Sequence, residues 1–222
     1  PLQTHTFEAG VTPNLGPRTV VRVAATAAVQ QGYLEKPYRY VPLFDQAGLD
    51  QARADGVTLD LDTFGSYDLP ERPPENVPDR RVRLSLFGRG LRWLGRAGAL
   101  RVDYRIYGDT WGMTAHTAEL GWAVPIAAGV TAELRDRLHV QTSVDFWRRV
   151  YLVEDGTLPR YRSLDRELSA YLADTATAGA TWRRGALAAY GELGLMWTRY
   201  HDFLLLDRRL ALLAQVGARW SL

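Results

Sequence analysis

The last sixteen residues, Asp207 to Leu222, constrain the fold of this chain more than any other stretch. From Leu210 onward every even position is apolar, while the polar residues and the glycine fall at odd positions. A period of two is the side-chain repeat of a β-strand with one apolar and one polar face. The chain is therefore predicted to end in an amphipathic strand, either at the edge of a soluble sheet or in a membrane barrel.

The same alternation recurs along the chain. Eight earlier segments show it, at residues 3–11, 19–29, 81–89, 100–109, 117–124, 133–145, 165–182 and 187–200. Asp136 and Asp174 interrupt the apolar faces of two of these segments. No apolar run approaches the roughly 18 residues that a membrane helix needs, so helical spans are excluded. The sequence predicts nine antiparallel strands.

The connections between the predicted strands alternate between short turns and longer loops. The longest is an irregular stretch rich in Pro, Gly and Asp at residues 33–79. Short periplasmic turns and long external loops are typical of outer-membrane barrels, and bacterial single-chain barrels have an even number of strands. We therefore expect one all-β domain over residues 1–222, an antiparallel transmembrane β-barrel with about nine strands here. An odd number of further strands, about three, is expected upstream of Pro1.

The chain terminus adds an argument about location. Gln215, Gly217, Trp220 and Leu222 resemble the terminal signature of bacterial outer-membrane barrels. That resemblance implies a signal read by the barrel-insertion machinery, and hence a bacterial outer-membrane location.

Five further segments resemble a family of uncharacterised bacterial outer-membrane proteins, catalogued as a domain of unknown function. They are GYLEKPYR (32–39), LPERPPENVPDRR (69–81), DYRIYGDTWGMTAHT (103–117), QTSVDFW (141–147) and DRELS (165–169). The similarity corresponds to the C-terminal part of that family. It implies a barrel in the outer membrane, and it supplies no activity, cofactor or catalytic residues.

The polar faces of the strands share one side of the predicted sheet, the lumen of a barrel. Charges of both signs are expected there, on Arg81, Arg83, Arg89, Arg101, Asp103, Arg105, Glu119, Arg135, Arg137, Asp145, Glu167 and Glu192. Opposite charges on adjoining strands favour cross-strand pairs, which would brace a rigid interior. The alternative is a narrow pore whose arginines attract anions.

Composition restricts the remaining chemistry. The chain has no cysteine, and its 27 basic residues are balanced by 25 acids, so the net charge of +2 gives no reason to expect nucleic acid. Asp60 and Asp62, in the acidic loop, are the candidate ligands for a hard cation. Their spacing matches no defined calcium loop, which favours a solvated loop, and no cofactor is expected.

One pair of residues suits acid–base catalysis at the rim. Asp109 and His116 flank a tight connection, and such a pair would suit a lipid or peptide hydrolase. A structural bracket around Trp111 is the alternative for the same residues. A Ser143–His139 pair is excluded, since residues four apart on a strand are roughly 13 Å apart.

The function expected from these observations is a non-enzymatic scaffold or narrow pore, with the rim hydrolase as the alternative. Outer-membrane lipid and the insertion machinery are the expected partners. A periplasmic protein or lipoprotein is a further candidate, which would make the chain a subunit of an envelope complex.

Overall fold

A computed structural model describes residues 1–221 of the chain; Leu222 lies outside the described residues. The described part is an all-β protein with one short α-helix, α1 (Gln46–Ala54), and three single-turn 3₁₀ helices, at Phe64–Ser66, Gly95–Ala97 and Arg166–Leu168. No helix in this part is long and apolar enough to cross a membrane.

The strands of residues 1–221 number eleven. They are β1 (Leu2–Val11), β2 (Thr19–Gly32), β3 (Leu43–Phe44), β4 (Arg80–Trp93), β5 (Ala99–Asp109), β6 (Thr114–Ala127), β7 (Val130–Gln141), β8 (Tyr151–Leu152), β9 (Tyr171–Arg184), β10 (Leu187–Tyr200) and β11 (Arg208–Trp220). Nine of these described strands form one antiparallel sheet, in the order β1-β2-β4-β5-β6-β7-β9-β10-β11. The prediction of nine long antiparallel strands is confirmed.

When the short strands β3 and β8 are left out, strands that follow one another in the chain are also neighbours in the main sheet. The connections therefore gather at two ends of the sheet. The turn end carries four short connections, such as Arg184 to Leu187, while the loop end carries the long segments after β2 and β7. β3 and β8 lie within those long segments and form a separate parallel pair.

The register places the alternating apolar residues of the nine long strands on one face of the main sheet, which Asp136, Asp174 and His116 interrupt. Leu134 lies opposite Trp122 and Ala178, and Ala178 lies opposite Leu193. This face is exposed: Leu134 retains 52% of its surface, Leu193 62% and Leu212 77%. Arginines, acids and threonines occupy the other face. The exposure is thus the reverse of that in a soluble sheet, which buries its apolar side.

The buried apolar residues lie at the loop end instead. Val77, Trp111, Val144, Trp147 and Leu168 form one cluster with neighbouring aromatic rings. Val41, Leu43 and Tyr151 form a second cluster around the β3–β8 pair. We call these packed segments, residues 33–79, 109–113, 142–170 and 201–207, the loop cap.

The loop cap is more ordered than the sequence indicated. Residues 33–79, expected to be irregular, contain α1, whose N-cap Asp45 accepts a hydrogen bond from the Gly48 amide at 2.7 Å. An N-cap carboxylate satisfies an amide that has no partner within the helix.

Two predicted strands are shorter than their sequence patterns suggested. The strand expected at 133–145 ends at Gln141, and the one expected at 165–182 begins at Tyr171. Val144 and Leu168 continue the alternation in sequence, but they are buried in the loop cap, joined by a backbone hydrogen bond of 3.0 Å.

Candidate functional site

The polar face of the main sheet divides into two zones along the strands. Towards the turn end, arginines are matched with acids. Towards the loop end, arginines that have no carboxylate partner in the described part of the chain border a cavity beneath the loop cap. We call them the ion-paired zone and the basic cavity.

The arginine–carboxylate contacts of the ion-paired zone include three cross-strand pairs. Arg89 makes two hydrogen bonds to Asp103, at 2.8 and 2.6 Å, the two-pronged geometry that the guanidinium group favours. Arg101 pairs with Glu119 on the next strand. Arg135 pairs with Glu192 across the intervening strand β9.

Small residues on the polar face make room for these long side chains. A Cβ atom at Gly179 would come within 3.3 Å of the Glu192 side chain, and one at Gly121 within 3.5 Å of both Arg101 and Arg135. The ion pairs therefore lie flat over glycines. The zone contains cross-strand pairs of opposite charge of the kind that the sequence predicted.

Asp109 forms the boundary between the strands and the loop cap. Its carboxylate accepts hydrogen bonds from Arg81 at 2.8 Å, the Tyr107 hydroxyl at 2.6 Å and the Trp111 amide at 2.9 Å. The Met113 amide adds a further bond, and the side chain is fully buried. These bonds use the acceptor capacity of a carboxylate, which leaves Asp109 as an anchor for the 109–113 turn.

The predicted acid–base pair of Asp109 and His116 is not formed. His116 lies opposite Ile106 on the exposed apolar face, where its Nδ1 is 2.6 Å from the Tyr104 hydroxyl. Asp109 contacts Arg81 and Tyr107 on the polar face. Successive strand residues point to opposite faces, so the two groups are separated by the sheet. The structural bracket accordingly contains Asp109 and Trp111 without His116.

The basic cavity encloses about 580 Å³ between the polar face and the loop cap. Five arginines on its wall have no carboxylate oxygen within 4.0 Å among residues 1–221: Arg83, Arg105, Arg137, Arg166 and Arg209.

Register explains why acids near these arginines do not neutralise them. Asp109 lies directly opposite Arg83, but its carboxylate is turned to Arg81. Glu119 lies directly opposite Arg137, but it pairs with Arg101. The Arg83 Nε atom is buried and has no hydrogen-bond partner in the described part of the chain.

A buried polar network holds the roof of the cavity in place. Glu75 accepts a hydrogen bond from the Lys36 amide at 2.8 Å and another from the Ser163 hydroxyl. The Asp165 carboxylate accepts a hydrogen bond from the Lys36 Nζ at 2.9 Å and also pairs with Arg39. Three separate segments, around residues 36–39, 75 and 163–165, are thereby joined.

Electrostatics in this network favour the ionised form of Asp165. Burial by itself would raise the pKa of this carboxyl, but the hydrogen bonds from Lys36 and Arg39 outweigh burial and lower the pKa below its ordinary value of 3.8. In the same segment, burial raises the pKa of the Tyr151 hydroxyl, which bonds the backbone of Ser163.

Two of the charged residues predicted for the polar face lie elsewhere than expected. Asp145 is exposed in the loop that follows β7, where its amide donates to the Trp111 carbonyl, and it is not on the polar face of the sheet. Glu167 borders the cavity from the 3₁₀ helix at Arg166–Leu168 and not from a strand. In both cases the alternating pattern continued in sequence after the strand had ended.

The remaining predicted sites lie on loops or at the chain terminus. Asp60 accepts hydrogen bonds from the Asp62 and Thr63 amides, so it caps a turn, and residues 1–221 contain no cluster of three or more His, Cys, Asp or Glu suited to a metal ion. Gln215 donates to the Tyr190 hydroxyl at 3.3 Å, and Gly217 lies against the Tyr190 ring. Trp220 is 70% exposed on the apolar face, whereas Leu222 lies outside the described residues.

The Glu75–Asp165 network was not identified from the sequence. Its charged members belong to three of the five segments that carry the family resemblance: GYLEKPYR with Lys36 and Arg39, LPERPPENVPDRR with Glu75, and DRELS with Asp165. The residue types alone resemble ordinary surface charges. Their presence in the resembling segments was the available signal.

The fold and its two polar zones define the class of this protein: a long antiparallel all-β sheet with an exposed apolar face and a charged face capped by loops. Comparison of the sequence with family models gives a match over residues 2–184 to the family described as protein of unknown function, DUF3570. The chain belongs to that family. No curated protein and no solved structure was found to match the sequence.

Proposed function

We propose that this chain forms part of an outer-membrane β-barrel that acts as a non-enzymatic scaffold. The observation that carries the proposal is the reversed exposure of the main sheet. Leucines such as Leu134, Leu193 and Leu212 are exposed on one face, while arginine–carboxylate pairs occupy the other. In a bilayer the leucine face would contact lipid and the charges would line the interior.

Aromatic side chains support a membrane-spanning band on the apolar face. Trp122, Trp182 and Trp220 lie near the turn end of their strands, and Trp197 lies near the loop end. Trp182 pairs with Ala189, eight residues before Trp197 on β10. Eight residues span roughly 26 Å, or roughly 20 Å along the axis of a barrel with strands tilted at about 40°. Interfacial aromatic girdles about 25 Å apart are the known arrangement in such barrels.

The band places the two acidic exceptions at different depths. Asp174 is directly opposite Trp197, at the loop-end border of the band, and its Oδ1 atom is buried without a hydrogen-bond partner in the described part of the chain. Asp136 lies one row further into the band, opposite Leu120, and nothing in the structure explains its position.

The proposal includes closure of the sheet. Within residues 1–221, β1 and β11 are each paired along one side only, and natural sheets avoid long unpaired edges. We propose that about three further strands join these edges, to give about twelve in all. The terminal signature that includes Gln215, Gly217 and Trp220 would be read by the barrel-insertion machinery.

The scaffold function is supported by the ion-paired zone, which fills the interior near the turn end with matched charges. The loop cap offers an ordered external docking surface. A periplasmic protein or lipoprotein, at the turn end of the barrel or inside it, is the proposed partner within an envelope complex. A narrow pore is the second candidate, because the five unpaired arginines of the basic cavity would attract anions.

Fractionation and electrophysiology test the two candidates. The full-length protein is expected in outer-membrane fractions, to migrate faster on gels when unheated, and to stay folded only with detergent or lipid. Recovery as a detergent-independent monomer would contradict the barrel. In planar bilayers a scaffold gives no steady conductance, whereas a pore gives anion-selective conductance that falls in an Arg105→Gln/Arg137→Gln variant.

A further inference from the structure

We propose that the basic cavity is a binding site for a small organic anion, a phosphomonoester or carboxylate attached to an aromatic or aliphatic body. The inference does not depend on the membrane location, because it rests on the composition of the cavity wall.

The first argument is charge. The cavity is bordered by five arginines without carboxylate partners in the described chain, while the acids on its wall, Glu75, Asp165 and Glu167, lie on the roof. Glu75 and Asp165 are already bonded to Lys36 and Arg39. Like charges at close range repel, and a bound anion would remove that repulsion.

The second argument is the supply of free donors. Within residues 1–221 the Arg105 guanidinium group donates one hydrogen bond, to the Ser85 hydroxyl at 3.1 Å, and the buried Nε of Arg83 donates none. Arg105 lies directly opposite Thr117 on the next strand, and Thr117 lies directly opposite His139 on the strand after that. Guanidinium groups bind phosphate and carboxylate oxygens in pairs, so this wall matches an oxyanion better than a chloride ion.

The third argument is the apolar part of the wall. Met113, Leu168, Tyr171 and Tyr200 border the same cavity, and three of these four side chains are buried. They belong to the loop cap or to the adjoining strand ends, whereas the arginines belong mostly to the sheet. The ligand therefore has an anionic group directed to the sheet and an apolar body beneath the loops.

Size agrees with this class of ligand. A volume of about 580 Å³ is within the range of roughly 300–1,000 Å³ for small-molecule sites. The cavity lies on the face opposite the exposed leucines, which separates it from the acyl chains of the surrounding lipid in a barrel.

Calorimetric titration of the full-length protein in a neutral detergent at low ionic strength tests the proposal. The probes are phenyl phosphate, inorganic phosphate and the aromatic cation benzyltrimethylammonium. We expect phenyl phosphate to bind more tightly than inorganic phosphate, because only the former contacts the apolar wall, and the cation not to bind.

The variant Arg105→Gln/Arg137→Gln removes two donors without leaving a carboxylate unpaired. It is expected to bind phenyl phosphate at least roughly tenfold more weakly, the equivalent of one charge-assisted hydrogen bond. The matched control is Arg22→Gln. Arg22 lies on β2, on the same polar face of the sheet, but it is exposed and paired with Glu8 at 2.8 Å. This control is expected to retain binding.

Three results would overturn the proposal: absence of phenyl phosphate binding, equal loss in the control and the double variant, or binding of the aromatic cation. Equal loss would mean general attraction to net charge. Binding without any conductance would support the site and contradict only the pore, so the two proposals fail separately. Circular dichroism of each variant checks that the strands are retained.

Discussion

The ion-paired zone and the basic cavity are built from the same strands and the same residue type, yet their arginines are in opposite situations. Arg89, Arg101 and Arg135 each contact a carboxylate. Arg83, Arg105 and Arg137 lie closer to the loop end and contact none in the described chain. The difference follows from which acids the register and the loops leave available. The paired zone is suited to rigidity and the unpaired zone to binding.

The largest stability effect is expected at the boundary between the strands and the loop cap. Replacing Asp109 by Ala leaves the buried Arg81 without its carboxylate and frees the amides of the 109–113 turn. Breaking a buried ion pair from one side costs about 3–5 kcal/mol. Urea unfolding in detergent or vesicles measures the loss. Asp62→Asn, an exposed acid in the loop cap, is the control and is expected to change stability little.

A smaller loss is expected within the ion-paired zone. Arg89→Gln leaves Asp103, which is 7% exposed, without its main partner. The cost is about 1–3 kcal/mol, because a buried charged acceptor loses its hydrogen bonds while Arg101 remains 3.7 Å away. The double variant Arg89→Gln/Asp103→Asn is expected to recover part of this loss. Additive losses would show that the two residues are not coupled.

The loop cap is expected to open in acid before the sheet unfolds. Since the folded-state pKa of Asp165 is below 3.8, its contribution to stability is present above that pH and is lost as the pH falls through the lower value. The hydrogen-exchange protection factors of residues 33–41 and 162–168, which correct for the slower intrinsic exchange in acid, are expected to fall first as the pH drops below 3.8. The same pH dependence in an Asp165→Asn variant would exclude this carboxyl as the cause.

The smallest stability effect is expected in the basic cavity. Arg105→Gln and Arg137→Gln remove a charge that no carboxylate in the described chain contacts, and they reduce repulsion between arginines. Each is expected to change the free energy of unfolding by less than about 0.5 kcal/mol, in contrast to Arg89→Gln. A loss as large as that of Arg89→Gln would show that the cavity is stabilised in the same way as the paired zone, and the distinction between the zones would fail.

Much of the main sheet was predictable because alternation is a local property. The pattern around Leu120, Leu134 and Leu193 identified strands and faces correctly, since successive side chains of a strand must point to opposite sides. The pattern failed at Asp145 and Glu167. There the alternation of residue types continued while loop packing, through buried Val144 and Leu168, replaced sheet pairing.

The candidate sites were less predictable because they depend on turn length and register. Asp109 and His116 are seven residues apart, and only the pairing of Tyr107 with Ala115 across the turn places them on opposite faces. The network of Lys36, Glu75 and Asp165 joins residues up to 129 positions apart, which no local pattern can indicate.

By itself, the sequence determined the strands, their apolar and polar faces and the two kinds of connection, because side-chain period and turn residues act over a few positions. Only the tertiary structure decided which charges meet. Arg135 reaches Glu192 across Gly179, and Asp109 turns from Arg83 to Arg81, because register and the space above glycines are set by the whole sheet. The division of one polar face into a braced zone and an open basic cavity is therefore a tertiary property.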